Sequence, residues 1–187
     1  MNQSPLSASV IGGGMGGRLS LDALRSSPQF NLSAAADLKP EIRNALERDF
    51  PGLKTFASHE QMLSQYPTDV VCVSTHAPSH EPVVRDVLTL PSLRGILVEK
   101  PLGDTAAAGR RILDATRSRG LPMVVPHGLR TRATPLEISK ILPSRFRKTP
   151  PTTGCRKVRR PPSRSVRQHF PFAQHQLLSQ VKAGPTF

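Results

Sequence analysis

The chain has 187 residues, with 26 Lys and Arg against 13 Asp and Glu, a length that suits one packed domain better than two. A net charge of +13 points to a polyanionic partner only if it is evenly spread, and here ten of the basic residues and none of the acids lie beyond residue 142. Cys72 and Cys155 fall on either side of that break and fit neither a disulfide framework nor a cysteine-based metal site. No metal is therefore expected. Met1 to Ser9 lacks the basic start and apolar run of a secretory signal, and no stretch approaches the roughly 20 apolar residues of a membrane span. A soluble, cytoplasmic protein is the expectation.

Ser7 to Ile11 is a short apolar run that stops at glycines, after which Met15, Leu19 and Ala23 recur at helical spacing. Phe30 to Ala36 is a second buried-strand candidate ending at Asp37, and Pro40 opens a helix whose Ile42, Ala45, Leu46 and Phe50 share one apolar face. Thr55 and Phe56 make a minimal third strand. Ser58 and Gln61 have the form of a capping box for a helix carrying Met62, Leu63 and Tyr66. Val70 to Ser74 is a strand apolar on both faces, and Ser79 is the expected cap of a helix that turns Val83, Val84, Val87 and Leu88 inward. Gly95 to Val98 is another buried strand. Asp104 is expected to cap a helix through Ile112 and Leu113, which Gly120 and Pro122 end before a strand at Met123 to Val125.

Strands alternating with amphipathic helices predict an α/β fold, a Rossmann-like doubly wound parallel sheet of about six strands, because parallel crossovers are conveniently made by helices. This domain is expected over residues 1–142. Residues 143–187 form a second segment with seven prolines, no acid and no apolar period, which predicts a disordered basic tail with only Gln176 to Val181 able to form a helical turn or two.

The segment Gly12-Gly13-Gly14-Met15-Gly16-Gly17 places Gly12, Gly14 and Gly17 in the spacing G-x-G-x-x-G. The first glycine permits a tight turn, the second lets a pyrophosphate approach the backbone, and the third lets the helix lie close to the strand. Free N–H groups of the helix starting at Met15 then face the phosphates. Asp37 follows Gly17 by 20 positions at the end of the second strand, where its carboxylate would accept hydrogen bonds from the adenosine ribose and repel a 2′-phosphate. NAD is the expected cofactor, with NADP as the second candidate. The alternative role for Asp37 is that of a helix cap ahead of Pro40. Ser74 and Thr75, at the carboxyl end of the fourth strand, stand where open α/β sheets collect ligands.

Taken together, this loop, Asp37, the segment Thr75-His76-Ala77-Pro78-Ser79-His80 and the run Glu99-Lys100-Pro101-Leu102 resemble the Gfo/Idh/MocA oxidoreductase family. The resemblance implies that Glu99 and Lys100 line the nicotinamide pocket, that Lys100 contacts substrate and assists proton transfer, and that His80 occupies a family position beside the cofactor. His76 departs from it, since relatives often carry proline there. Pro126 to Arg130 resembles the passage into a second domain, and Thr134 to Leu142 the start of its first helix. The parent reaction it implies is hydride transfer between nicotinamide and a sugar- or polyol-like hydroxyl.

In the family a sheet-rich second domain supplies most substrate contacts, a catalytic histidine and the oligomer interface. Residues 143–187 show no such pattern, so three readings stand: a truncated or misread oxidoreductase that is inactive as written, a non-catalytic NAD-sensing module, or a protein binding nucleic acid non-specifically through Arg156 to Arg160 and Arg164 to Arg167.

Overall fold

The computed structural model describes residues 4–127. The expectations for Gly128 to Arg130, for Thr134 to Leu142 and for the tail with Gln176 to Val181 lie outside those residues. Within them the chain runs β1 (Leu6–Ile11), α1 (Met15–Arg25), β2 (Phe30–Ala36), α2 (Pro40–Asp49), β3 (Lys54–Phe56), α3 (His59–Gln65), β4 (Val70–Val73), α4 (Ala77–Val87), β5 (Gly95–Val98), α5 (Ala106–Ser118) and β6 (Met123–Val124). The strands form one six-stranded sheet in the order β3-β2-β1-β4-β5-β6, with every pair parallel. The expected α/β doubly wound sheet is what the chain forms.

The alternation of side chains along each strand sorts the core into two layers. Val10, Val70 and Cys72 pack with Leu21 and Leu24 of α1 and Leu46 of α2. Their neighbours Ile11, Val71 and Val73 belong to the other layer, with Met62 and Leu63 of α3, Val83, Val84 and Val87 of α4, and Ile112 of α5. All four residues of β4 are buried, which is why this segment reads as continuous apolar sequence. Winding starts in one direction from β1 to β3 and in the other from β4 to β6, so β1 and β4 are sheet neighbours whose following helices lie on opposite faces. A crevice opens at such a switch point, beyond the carboxyl ends of the two strands.

Two helix starts differ from expectation, and at a third, α2, which opens at Pro40 as expected, the alternative capping role of Asp37 is not taken up. α4 begins at Ala77 with His76 as its N-cap residue, and Ser79 lies inside the first turn with its hydroxyl donating back to the His76 carbonyl at 2.8 Å. Pro78 explains the earlier start, since proline in a first helical turn lacks only an N–H that has no partner there. At α5 the cap is Thr105, whose hydroxyl oxygen accepts from the Ala108 N–H at 3.1 Å, so Asp104 stays outside the helix. At α2 the residue before the helix is Lys39, and Asp37 does not cap it. The Ser58 expectation holds for its own half: the hydroxyl accepts from the Gln61 N–H at 3.2 Å. On α1 the inward face is Gly17, Ser20, Leu21, Ala23 and Leu24, while Met15 is 84% exposed, so Met15 does not pack inward with Ala23 as its spacing suggests.

Candidate dinucleotide site

The turn between β1 and α1 sits at the switch point. Gly12 has φ +95°, a conformation that L side chains rarely adopt, and a Cβ added there would lie 2.6 Å from the Ser74 carbonyl oxygen of the neighbouring strand. A Cβ on Gly17 would overlap the Gly12 carbonyl. These two glycines hold the turn against the sheet and the helix against the turn. Gly14 differs from both: it is exposed, has φ −65°, and an added Cβ meets nothing within 4 Å among the described residues. The space in front of it is open.

Gly14 is also the N-cap residue of α1, with no side-chain cap and no acidic residue in the first turn. A helix start normally satisfies its free N–H groups with a side chain. This one presents uncapped donors and the positive end of the helix dipole to the crevice.

Asp37 comes in from the end of β2. One carboxylate oxygen accepts from the Gly13 N–H at 2.7 Å and the other from the Lys39 N–H at 2.9 Å, so the side chain ties the glycine turn to the start of α2 and leaves further lone pairs for a ligand. Gly13 is a residue that the G-x-G-x-x-G spacing leaves free, yet a Cβ there would come within 2.6 Å of Ile42 and 2.8 Å of Leu46. Arg43, one turn into α2, donates to the carbonyls of Asp37 and Leu38, both at 2.9 Å. Leu38 itself is 83% exposed. Neither Leu38 nor Arg43 belongs to a motif; an apolar residue beside Asp37 that stays in water is the signal that only the structure supplies.

From the opposite side, Ser74 and Thr75 follow β4, and their hydroxyl oxygens are buried without a hydrogen-bond partner among the described residues. Buried hydroxyls ordinarily find partners, and orphans call for an explanation such as an absent ligand. Glu99 follows β5, its N–H donating to the Val73 carbonyl at 2.8 Å and its side chain lying 3.4 Å from where a Cβ on Gly16 would be. Lys100 is exposed, and a cis peptide joins it to Pro101. The structure thus brings the glycine turn, Asp37, Ser74, Thr75, Glu99 and Lys100 to the carboxyl ends of the strands. His80 stands apart: it is 1% exposed, and both ring nitrogens face backbone carbonyls.

Cys72, under the same loops, is buried, and burial, reinforced by the charge of Glu99, pushes its thiol up to about 12. It is a packing residue without thiolate chemistry near neutral pH. Among the described residues His59, Glu60 and Asp86 place possible metal-ligand atoms within 4.8 Å of one another. The two carboxylates, however, approach opposite ring nitrogens of His59, at 3.4 Å and 2.9 Å.

A sheet of this order with a glycine turn, an uncapped helix start and an acidic residue ending β2 defines the class of NAD-binding Rossmann domains. The family model described as "Oxidoreductase family, NAD-binding Rossmann fold" matches residues 6–127, more than half of the chain, and the chain belongs to this family, the Gfo/Idh/MocA oxidoreductases. It is 35% identical over 97 residues to trans-1,2-dihydrobenzene-1,2-diol dehydrogenase of Macaca fuscata fuscata, covering 52% of this chain and 28% of that protein. Inositol 2-dehydrogenase of Rubrobacter xylanophilus is 29% identical over 121 residues, covering 64% of this chain and 34% of the relative. Among solved structures, GenD2 from gentamicin A biosynthesis in complex with NAD superposes with a TM-score of 0.66 at 23% identity, over 74% of this chain and 39% of that one. The myo-inositol 2-dehydrogenase of Lactobacillus plantarum gives 0.65 at 19% identity, over 73% and 40%. The chain thus spans about a third or less of the curated relatives' length. No described helix is long and apolar enough to cross a membrane.

Proposed function

We propose that the crevice between β1 and β4 binds NAD(H) in one orientation, as the cofactor site of an oxidoreductase acting on a sugar- or polyol-like hydroxyl. The observation that carries this reading is the pairing of an open, uncapped α1 start at Gly14 with two orphaned hydroxyls at Ser74 and Thr75 across the switch point. The pyrophosphate would lie over Gly14 and Met15, held by the N–H groups of the first turn. Asp37 would accept from the adenosine ribose hydroxyls, and its charge disfavours the 2′-phosphate of NADP. Exposed Leu38 would cover one face of the adenine, where removing apolar surface from water contributes about 25 cal/mol per Å².

At the other end Ser74 and Thr75 would donate to the nicotinamide half, and Glu99 would border it against α1. The bound nicotinamide would supply hydride chemistry. Lys100, exposed past β5, is the residue proposed to hydrogen-bond the substrate hydroxyl and share in its proton transfer. The whole protein's substrate is part of this proposal; the resemblance to dehydrogenases of diols and inositol supports a vicinal hydroxyl compound.

Calorimetric titration of NADH into the full chain, as wild type and as Gly14→Val, tests the site. Valine at Gly14 meets open space among the described residues and an extended backbone of negative φ, so the fold is expected to persist while the pyrophosphate is obstructed. The expected result is binding by wild type and at least a tenfold loss in the variant, about 1.4 kcal/mol. Equal affinities, or no binding by folded wild type, would overturn the reading.

A further inference from the structure

We propose that His80 is a positioning residue that ties the loop after β4 to the loop after β5, and thereby sets Thr75 and Lys100 for the nicotinamide half of the ligand. This rests on the proposed dinucleotide site.

The His80 ring is buried on α4, with Nε2 at 3.0 Å from the Thr75 carbonyl and Nδ1 at 3.3 Å from the Leu102 carbonyl. Thr75 lies just outside α4 and Leu102 ahead of α5, so helix hydrogen bonding does not extend to either carbonyl. Among the described residues no backbone N–H reaches either one. Among the described residues the imidazole is thus the one protein group beside these two part-buried carbonyls, and an unmade hydrogen bond is costly to the extent that water cannot replace it. A neutral ring donates to one of them and an imidazolium to both.

What the ring joins is specific. On one side, the residue whose carbonyl it takes also carries the orphaned Thr75 hydroxyl. On the other, Leu102 is two residues beyond Lys100, and the following turn is pressed onto α5, since a Cβ on Gly103 would lie 2.6 Å from the Gly109 nitrogen. Among the described residues the other hydrogen bonds of this loop are the Glu99 N–H to Val73 and the Lys100 N–H, which donates to Glu99's own side chain at 3.2 Å, and the Leu102 side chain packs against the core. The Gly12 to Gly17 turn and Asp37 are held instead by Ala36, Gly13, Lys39 and Arg43 contacts, in which His80 takes no part. Loss of His80 should therefore loosen one half of the crevice and spare the other.

The test uses the full chain as wild type, His80→Leu, which keeps bulk and removes all N–H donation from the ring position, and His80→Gln, whose amide nitrogen restores a donor. NADH and ADP-ribose are titrated into each; ADP-ribose carries the adenosine and pyrophosphate without nicotinamide. Amide hydrogen exchange of residues 99–104 is read without ligand. In His80→Leu the expected results are a tenfold or greater loss of NADH affinity, ADP-ribose affinity within twofold of wild type, and exchange at residues 99–104 at least tenfold faster with the rest of the sheet unchanged. His80→Gln should recover part of both effects. If His80→Leu does not fold, His80→Gln decides alone: a several-fold loss for NADH with ADP-ribose unchanged supports the assignment. Parallel losses for the two ligands, or unchanged exchange at residues 99–104, would overturn it. Failure of wild type to bind either ligand would count against the dinucleotide reading, while the exchange data would still decide the role of His80.

Discussion

At Gly13 the loop carries a constraint that the G-x-G-x-x-G spacing does not express. Its N–H is taken by Asp37 and its missing side chain leaves room for Ile42 and Leu46 of α2, so a position the motif treats as free is enclosed by that helix. Asp37 is legible from its distance to Gly17, but its two backbone hydrogen bonds are not, because they depend on how α2 starts. Those bonds shape the prediction. Asp37→Ala removes a ribose acceptor and the charge facing a 2′-phosphate, and it frees the Gly13 and Lys39 N–H groups. The NAD to NADP affinity ratio should fall by tenfold or more, and urea unfolding should show a destabilisation of about 1–2 kcal/mol. An unchanged ratio with lowered stability would leave Asp37 a purely structural role.

For whole elements, the two periodicities locate every described strand and helix, though α4 starts three residues ahead of the place its expected cap Ser79 implies. β4 reads clearly because all of Val70 to Val73 is buried, and α4 because Val83, Val84, Val87 and Leu88 fall on one face. Starts were less legible. Ser79, Asp104 and Thr105 are all good capping residues by type, and the choice among candidates is made by the chain's approach to the helix: Thr105 sits in extended backbone at φ −129° with its hydroxyl on the Ala108 N–H. Thr105→Ala should therefore cost about 1 kcal/mol of stability, whereas Asp104→Ala should stay within about 0.5 kcal/mol. Denaturant titration of both variants would reverse the cap assignment if Asp104→Ala proved the more costly.

Across the molecule the sheet is held by its two apolar layers, and ion pairs between helices add a pH-dependent part. Glu81 on α4 faces Arg111 on α5 through two hydrogen bonds of 2.7 and 2.8 Å. The Arg111 guanidinium, with Arg85 adding a smaller share, holds the Glu81 carboxyl below its ordinary value of 4.5. A depressed carboxylate contributes stability that is fully present above 4.5 and is lost as pH falls through the lower folded value. Glu81→Gln should thus be less stable than wild type at pH near 7, with the gap closing on the acid side, and salt should shrink it because the Arg111 side chain is 59% exposed. A gap independent of pH would assign the contact to packing alone. The site as a whole was readable to the extent that it is carried by local motifs. Leu38, Arg43 and the His80 bridge were not, since each acquires its place from chain segments far apart in sequence.

In the proposed complex one extended ligand lies across the switch point between β1 and β4. Backbone amide NMR of the full chain during NADH titration tests it most directly. Saturable shifts are expected at Gly12 to Gly17, Asp37 and Leu38, Ser74 and Thr75, and Glu99 to Leu102, with β3 and the ends of α3 and α5 distant from the crevice little changed. Saturable shifts confined to other surfaces, or none in the glycine turn, would contradict it.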